Sequence, residues 1–266
     1  MELDEVIPII KTLTLVGGID KKGQKENISF SIHQSEVISI VGPTGSGKSQ
    51  LLKDIEYLSN GDTPSRRVIL INEEVLTRQQ RRKLKKKLVA QLSQNMNFII
   101  DTSVEKFLEV HARSRNVAEN AIPSLVMDII STGNTLCGES FNAETPITLL
   151  SGGQSRAVMI ADIALLSQAP IVLIDEIENA GIDRKKALSL LLAKGKIVLI
   201  STHDPILALN ADKRIIMRNG CMSSIMETND EEKDILSALE EVDRKMMALR
   251  EKIRSGERIT ISLTTQ

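Results

Sequence analysis

The sequence predicts an α/β fold. A mixed, mostly parallel sheet is preceded by an N-terminal antiparallel β subdomain, interrupted by an inserted α-helical subdomain and followed by a C-terminal helical tail. Three observations carry this. Segments 37–41, 171–174 and 197–200 are short runs that are apolar at both parities, as strands buried on both faces are. Helical-period stretches at 48–58, 152–167 and 183–193 alternate with them, the pattern of parallel strands joined by crossover helices. Residues 103–135 carry helical periodicity (Val104, Phe107, Leu108; then Ile122, Leu125, Val126, Ile129) and no strand pattern.

The remaining elements follow in order. Segments 9–16 and 28–32 read as strands, separated by Gly17-Gly18 and the turn-forming Asp20-Lys21-Lys22-Gly23. A strand is expected at 68–71, a strongly basic helix at 76–88 and a strand at 89–92. In the tail, Ile235, Leu239, Val242, Met246, Leu249 and Ile253 follow a 4-3-4-3-4 spacing, a narrow seam of about three heptads. Ile259, Ile261 and Leu263 alternate with polar residues as a last short strand would. We therefore divide the chain into 1–228, with the helical subdomain at about 95–150, and a tail at 229–266.

Composition narrows the function. The 34 basic and 35 acidic residues leave a net charge of -1, against a general electrostatic nucleic-acid binder. Aromatic residues are 2% with no Trp, against base-stacking platforms. No apolar run approaches the ~20 residues that span a bilayer. Residues 1–10 carry three carboxylates and no base, unlike a secretory signal. Cys137 and Cys221 make no disulfide framework, and a reducing cytosol is expected.

Gly42-Pro43-Thr44-Gly45-Ser46-Gly47-Lys48-Ser49 matches the phosphate-binding loop, between a buried strand and a helix. Its glycines let backbone N–H groups turn towards phosphate oxygens, and the helix N-terminus faces the same anion. Lys48 supplies a point charge and the Ser49 hydroxyl a Mg²⁺ ligand. Asp175 and Glu176 end a buried strand, where a parallel sheet opens into its ligand crevice. Asp175 can hold the metal's shell and Glu176 can polarise a water. Leu150-Ser151-Gly152-Gly153-Gln154 opens a helix as a second anion nest. Two phosphate cradles in one chain suggest that the second closes on a nucleotide bound to another subunit.

In these motifs the chain resembles the ATP-binding-cassette (ABC) ATPases, over roughly residues 8–225. The resemblance implies a P-loop NTPase core, ATP and Mg²⁺ as nucleotide and metal, and a head-to-tail dimer with a second ABC subunit, a homodimer being expected. It makes residues 150–154 the signature motif that meets the partner's γ-phosphate. It makes Gln94 the Q-loop glutamine and Mg²⁺ ligand, His203 the switch histidine and Asp183 the D-loop aspartate. Glu176 becomes the general base, assisted by His203 and Lys48. The implied role is a cytoplasmic ATPase, peripheral on the inner membrane face, that energises a membrane-spanning transporter subunit. The alternative is a soluble ABC ATPase that remodels or activates a protein or nucleic acid.

The sequence departs from the family pattern in three places. Residues 177–183 lack the usual Pro-Thr and hold one residue more before the aspartate, as in soluble relatives. No aromatic residue lies at 15–26 to stack on adenine, which leaves Val16 or a neighbour for aliphatic packing. Gln50 stands where threonine is usual, and the resemblance counts it with the nucleotide-binding loop. Outside the motifs, the basic run at 78–87 reads either as a solvated face or as a contact for an acidic partner, anionic lipid or RNA. The tail seam reads either as a helix packed on its own domain or as a homodimer contact.

Overall fold

The structure is a computed structural model that describes residues 9–93, 98–175 and 181–259. Its centre is a six-stranded sheet of β3 (Val37–Val41), β6 (Val89–Leu92), β7 (Ile171–Asp175), β8 (Ile197–Ser201), β9 (Lys213–Arg218) and β10 (Cys221–Glu227). Their spatial order is β10-β9-β3-β8-β7-β6. All neighbours are parallel except β9 and β10, which form an antiparallel hairpin. The alternating apolar residues explain the layering. Ile171, Leu173, Ile197 and Leu199 enter one core, whereas Val172, Ile174, Val198 and Ile200 enter the other. A strand buried on both faces needs apolar residues at both parities, and these strands have them.

On the first face pack α1 (Lys48–Glu56) and an antiparallel sheet of order β2-β1-β4-β5. Its strands are β1 (Thr12–Val16), β2 (Ser29–His33), β4 (Val68–Ile71) and the two-residue β5 (Glu74–Val75). Leu13, Leu15, Ile32 and Ile69 meet Leu51, Leu52 and Ile55 in one buried cluster. Burying one such side chain stabilises the fold by about 1.5–3 kcal/mol. On the second face lie α5 (Gly152–Leu165), α6 (Arg184–Ala193) and the short α7 (Pro205–Leu209). The basic α2 (Arg78–Leu88) leads into the edge strand β6.

Between β6 and β7 the chain forms α3 (Val104–Ser114), α4 (Ile122–Leu136) and a single 3-10 turn, Ile147–Leu149, before α5. Val104, Leu108, Ile122, Val126, Ile129 and Phe141 bury together with Val158 and Ala161 of α5. This third cluster is the helical body expected from the 103–135 periodicity. Ser103 starts α3 by accepting a hydrogen bond from the Lys106 N–H at 3.3 Å, a serine N-cap.

The expected segments at 37–41, 68–71 and 89–92 form strands with those bounds, and the first strand starts at Thr12 rather than Ile9. The tail is a single helix, α8 (Asp230–Arg254). Four of its six seam residues face away from the domain: Ile235, Val242, Met246 and Ile253 are 45–59% exposed. Leu239 and Leu249 of the seam are half-buried, so α8 packs on its own domain, as one of the two readings expects, while most of the seam stays open. The side of α8 that meets the domain carries the Arg214–Glu232, Lys185–Glu240 and Arg184–Asp243 ion pairs. Ile259 is exposed and in no strand, and the rest of the final strand expected there falls outside the described residues.

Candidate nucleotide-binding site

The site assembles where parallel strands end. Ile40 of β3 pairs with Ser201 of β8, and Ser201 pairs with Asp175 of β7. These three residues form one row across the sheet, about 5 Å between neighbouring strands. Two residues beyond the row, β3 runs into Gly42 and β8 into His203. The phosphate-loop glycines, the histidine and the carboxylate therefore converge on the carboxyl edge, where open α/β sheets bind their ligands.

The loop holds a conformation that only glycine adopts easily. Gly45 and Gly47 have φ of +76° and +105°, in the left-handed region that penalises a Cβ. A Cβ on Gly47 would also lie 2.9 Å from the Gly220 Cα. The β9–β10 hairpin supports the loop from outside, as the Gly220 N–H donates to the Ser46 carbonyl at 2.8 Å. The first N–H groups of α1 have no partner within the helix and face the loop. The Ser46 hydroxyl is buried with no hydrogen-bond partner among the described residues. An orphaned buried hydroxyl costs free energy, and an incoming phosphate oxygen would satisfy it. These features fit an anionic phosphate group.

Lys48 is 7% exposed. Its Nζ donates to the Gly42 carbonyl at 2.8 Å and the Pro43 carbonyl at 3.4 Å, and lies 3.1 Å from His203 Nε2. An ammonium group has no acceptor, so His203 Nε2 accepts and any ring proton sits on Nδ1. Phosphate oxygens are ready replacements for those two carbonyls. The Ser49 hydroxyl is exposed at the start of α1 and Asp175 is half-buried at its strand end. Both are hard oxygen donors of the type Mg²⁺ accepts. Gln50 is turned away, its amide donating to Asp54 Oδ1 at 2.9 Å. Its side chain is thus engaged within α1. Gln94 and Glu176 fall outside the described residues.

The 150–154 stretch is a helix N-terminus, as expected, and its chemistry is local. Ser151 Oγ accepts from the Gln154 N–H at 3.2 Å and Gln154 Oε1 accepts from the Ser151 N–H at 2.8 Å, a complete capping box. Gln154 Nε2 also reaches the Glu139 carbonyl at 3.3 Å. The box holds Ser151 and Gly152 on the surface, where both are exposed. Asp183 N-caps α6 by accepting from the Lys186 N–H at 3.0 Å.

Two groups were not legible as site residues. Lys21 Nζ donates to the Gly45 carbonyl at 2.7 Å, placing a second cation over the loop; no motif marks it. Arg184 joins Asp204, the neighbour of His203, to Asp243 on α8 at 2.6 Å. A second arginine fixes the frame. Arg67, fully buried, binds Glu26 Oε2 and Asp54 Oδ2, each at 2.9 Å. It thereby ties the antiparallel sheet to the helix that follows the loop.

Fold and site together define a P-loop nucleotide-binding cassette with an inserted helical body. The profile of the ABC transporter family matches residues 25–179. Over 252 residues the chain is 53% identical to an "uncharacterized ABC transporter ATP-binding protein" of Methanocaldococcus jannaschii, covering 94% of this chain and 95% of that one. It is 30% identical over 200 residues to a macrolide export ATP-binding/permease protein of Acinetobacter baylyi, covering 73% of this chain but 29% of that longer protein. The fold matches the dimeric post-hydrolysis structure of an ATP-binding cassette bound to ADP and phosphate, with a TM-score of 0.62 and 24% identity over 82% of this chain and 99% of that one. The chain belongs to the ABC transporter family.

Proposed function

We propose that this chain is the ATP-hydrolysing cassette subunit of an ABC transporter. The observation that carries the reading is the meeting of Lys48 and His203 at the strand ends beside Asp175. In the proposed cycle the 42–49 loop holds the triphosphate, with Lys48 at the β- and γ-phosphates. Ser49, Gln94 and, through water, Asp175 would hold Mg²⁺, which would supply charge neutralisation at the phosphates. Glu176 takes the proton of the attacking water, and His203 holds that water in line. Catalysis is then positioning and charge neutralisation rather than covalent chemistry.

The exposed Ser151–Gly152 terminus of one copy caps the triphosphate of a second copy in a head-to-tail dimer. Asp183 lies at the junction and relays closure between the two. Residues 1–228 form the cassette, 95–150 its moving helical body and 229–266 an appendage. The second reading, a soluble ABC ATPase that remodels another molecule, rests on the 177–183 spacing. Transport is favoured by an open groove of about 410 Å³ between β6 and the helical body. Ile99, 92% exposed, and Ile100 on its lip offer an apolar seat for a membrane subunit. No helix among the described residues is long and apolar enough to cross a membrane. In the proposed assembly a partner subunit supplies the membrane-spanning part. The cassette then works at the cytoplasmic membrane face.

The test is steady-state ATPase activity and gel filtration with Mg-ATP. Glu176→Gln is expected to lose turnover and accumulate an ATP-bound dimer, and Lys48→Ala to lose nucleotide affinity. An E176Q chain that stays monomeric with ATP, or a K48A chain that binds ATP normally by calorimetry, contradicts the reading. Purification from detergent extract with only soluble partners favours the second one.

A further inference from the structure

The described domain leaves one apolar helix face uncovered. Along α8, the residues that meet the domain, among them Glu232, Glu240 and Asp243, form one stripe. The seam Ile235-Leu239-Val242-Met246-Leu249-Ile253 lies about a quarter turn round the helix from it, at about 100° per residue. Ile235, Val242, Met246 and Ile253 are exposed, and Leu239 and Leu249 are half-buried. An apolar stripe of heptad spacing in water is unfavourable unless another helix covers it.

The helix itself specifies the occupant. The 4-3-4-3-4 spacing reads the same in both directions about Arg244. Two copies laid antiparallel about a two-fold axis at that residue place Ile235 against Ile253, Leu239 against Leu249 and Val242 against Met246. Isoleucine then meets isoleucine, leucine meets leucine, and valine meets the longer methionine next to the axis. The charge agrees. From Asp230 to Asp243 the helix has seven carboxylates and one lysine, and from Arg244 to Arg254 five bases and one carboxylate. An antiparallel pair sets each acidic half against a basic half. A parallel pair sets like against like and is penalised. Among the exposed charges, Glu231, Asp234 and Glu241 belong to the acidic half, and Lys245, Arg250 and Lys252 to the basic half.

We infer that α8 is a homodimerisation helix whose seam is covered by the same seam of a second copy, antiparallel, about an axis at Arg244. The pairing is self-complementary, as a two-fold interface requires. It needs no nucleotide, so it is distinct from the ATP-dependent closure proposed above and can succeed or fail independently of it.

The experiment is sedimentation of the full chain without nucleotide over roughly 1–100 µM. The expected mass rises from 29.3 kDa towards twice that value, and added salt weakens the association because complementary charges are screened. Val242→Glu with Met246→Glu, at exposed positions that leave the monomer fold intact, is expected to weaken dimerisation by roughly tenfold or more while ATP binding persists. Orientation is read by disulfide formation in a Cys137→Ser, Cys221→Ser background. A mixture of Ile235→Cys and Ile253→Cys chains is expected to cross-link, and neither alone. A chain that stays monomeric throughout overturns the inference and leaves the seam to a different partner. Cross-linking of each single-cysteine chain with itself overturns the antiparallel pairing.

Discussion

Lys48 Nζ and His203 Nε2 lie 3.1 Å apart, although 155 residues separate them in the chain. The contact exists because β3 and β8 are parallel neighbours, so the loops that follow them emerge side by side. In the proposed cycle the two groups divide the work: Lys48 carries charge to the phosphates before and during the reaction, whereas His203 contributes through the placement of one water.

His203→Ala is therefore expected to leave ATP affinity within about threefold of the parent chain and to lower kcat by roughly 100-fold, the range for a lost positioned acid–base partner. Stopped-flow nucleotide binding and steady-state turnover separate the two quantities. Equal losses in both would mean that His203 acts on binding through Lys48 and not on the reaction.

The buried arginine makes a stability prediction. Arg67 faces two carboxylates, Glu26 and Asp54, and all three side chains are closed to bulk solvent. Asp54 also accepts from the Ser65 hydroxyl at 2.7 Å, and Glu26 Oε2 from the Gly18 N–H at 3.0 Å. Arg67→Met removes the cation and strands two buried acids. The expected loss is about 3–5 kcal/mol in urea unfolding. A loss under about 1 kcal/mol would show that the acids find other partners or water.

This network also shows where sequence reasoning stops. The strands β7 and β8 and the loop between β3 and α1 were legible because each is encoded by adjacent residues. Arg67 reaches Glu26 across 41 positions and Arg184 reaches Asp243 across 59, and no local pattern marks such pairs. The β9–β10 hairpin is a different omission. Asn219-Gly220 is a strong two-residue turn signal, and both residues adopt positive φ, 51° and 91°. The flanking strands mix Lys, Arg and Ser with apolar residues, which hid the alternation.

Lys196 gives the pH dependence. It is 5% exposed, and its Nζ donates to the Ser167 and Ala169 carbonyls at 2.7 and 2.8 Å. Burial, reinforced by the charges of Arg115 and Lys194, lowers its pKa from 10.5 to about 8. Between those values the unfolded chain holds the extra proton, so this group's contribution to stability rises with pH across that window and is flat below it. Comparing the parent chain with Lys196→Met by urea melts, the difference is expected to shift in the parent's favour by ~2 kcal/mol between about pH 8 and 10. A difference that stays constant would mean that the folded amine titrates near its ordinary value.

Arg184 offers the last prediction, because it touches both the switch loop and the tail. Its guanidinium bonds Asp204, which N-caps α7 by accepting from the Ile206 N–H at 2.7 Å and follows His203 directly. The same guanidinium holds Asp243 of α8 at 2.6 Å. Arg184 is 12% exposed and Asp204 13%, so the pair is shielded and worth more than a surface bridge. Arg184→Met frees Asp204 from one side and loosens the backbone that aims His203. The expected result is a fall of about tenfold in kcat, a change of less than about threefold in the KM for ATP, and a stability loss of about 1–3 kcal/mol. Asp243→Asn keeps the Asp204 bond and should lose much less activity, and that contrast assigns the effect to the switch loop rather than to the tail. If both variants lower the melting temperature while kcat is unchanged, Arg184 only fastens α8 to the domain, and the switch histidine is aimed by its own strand alone.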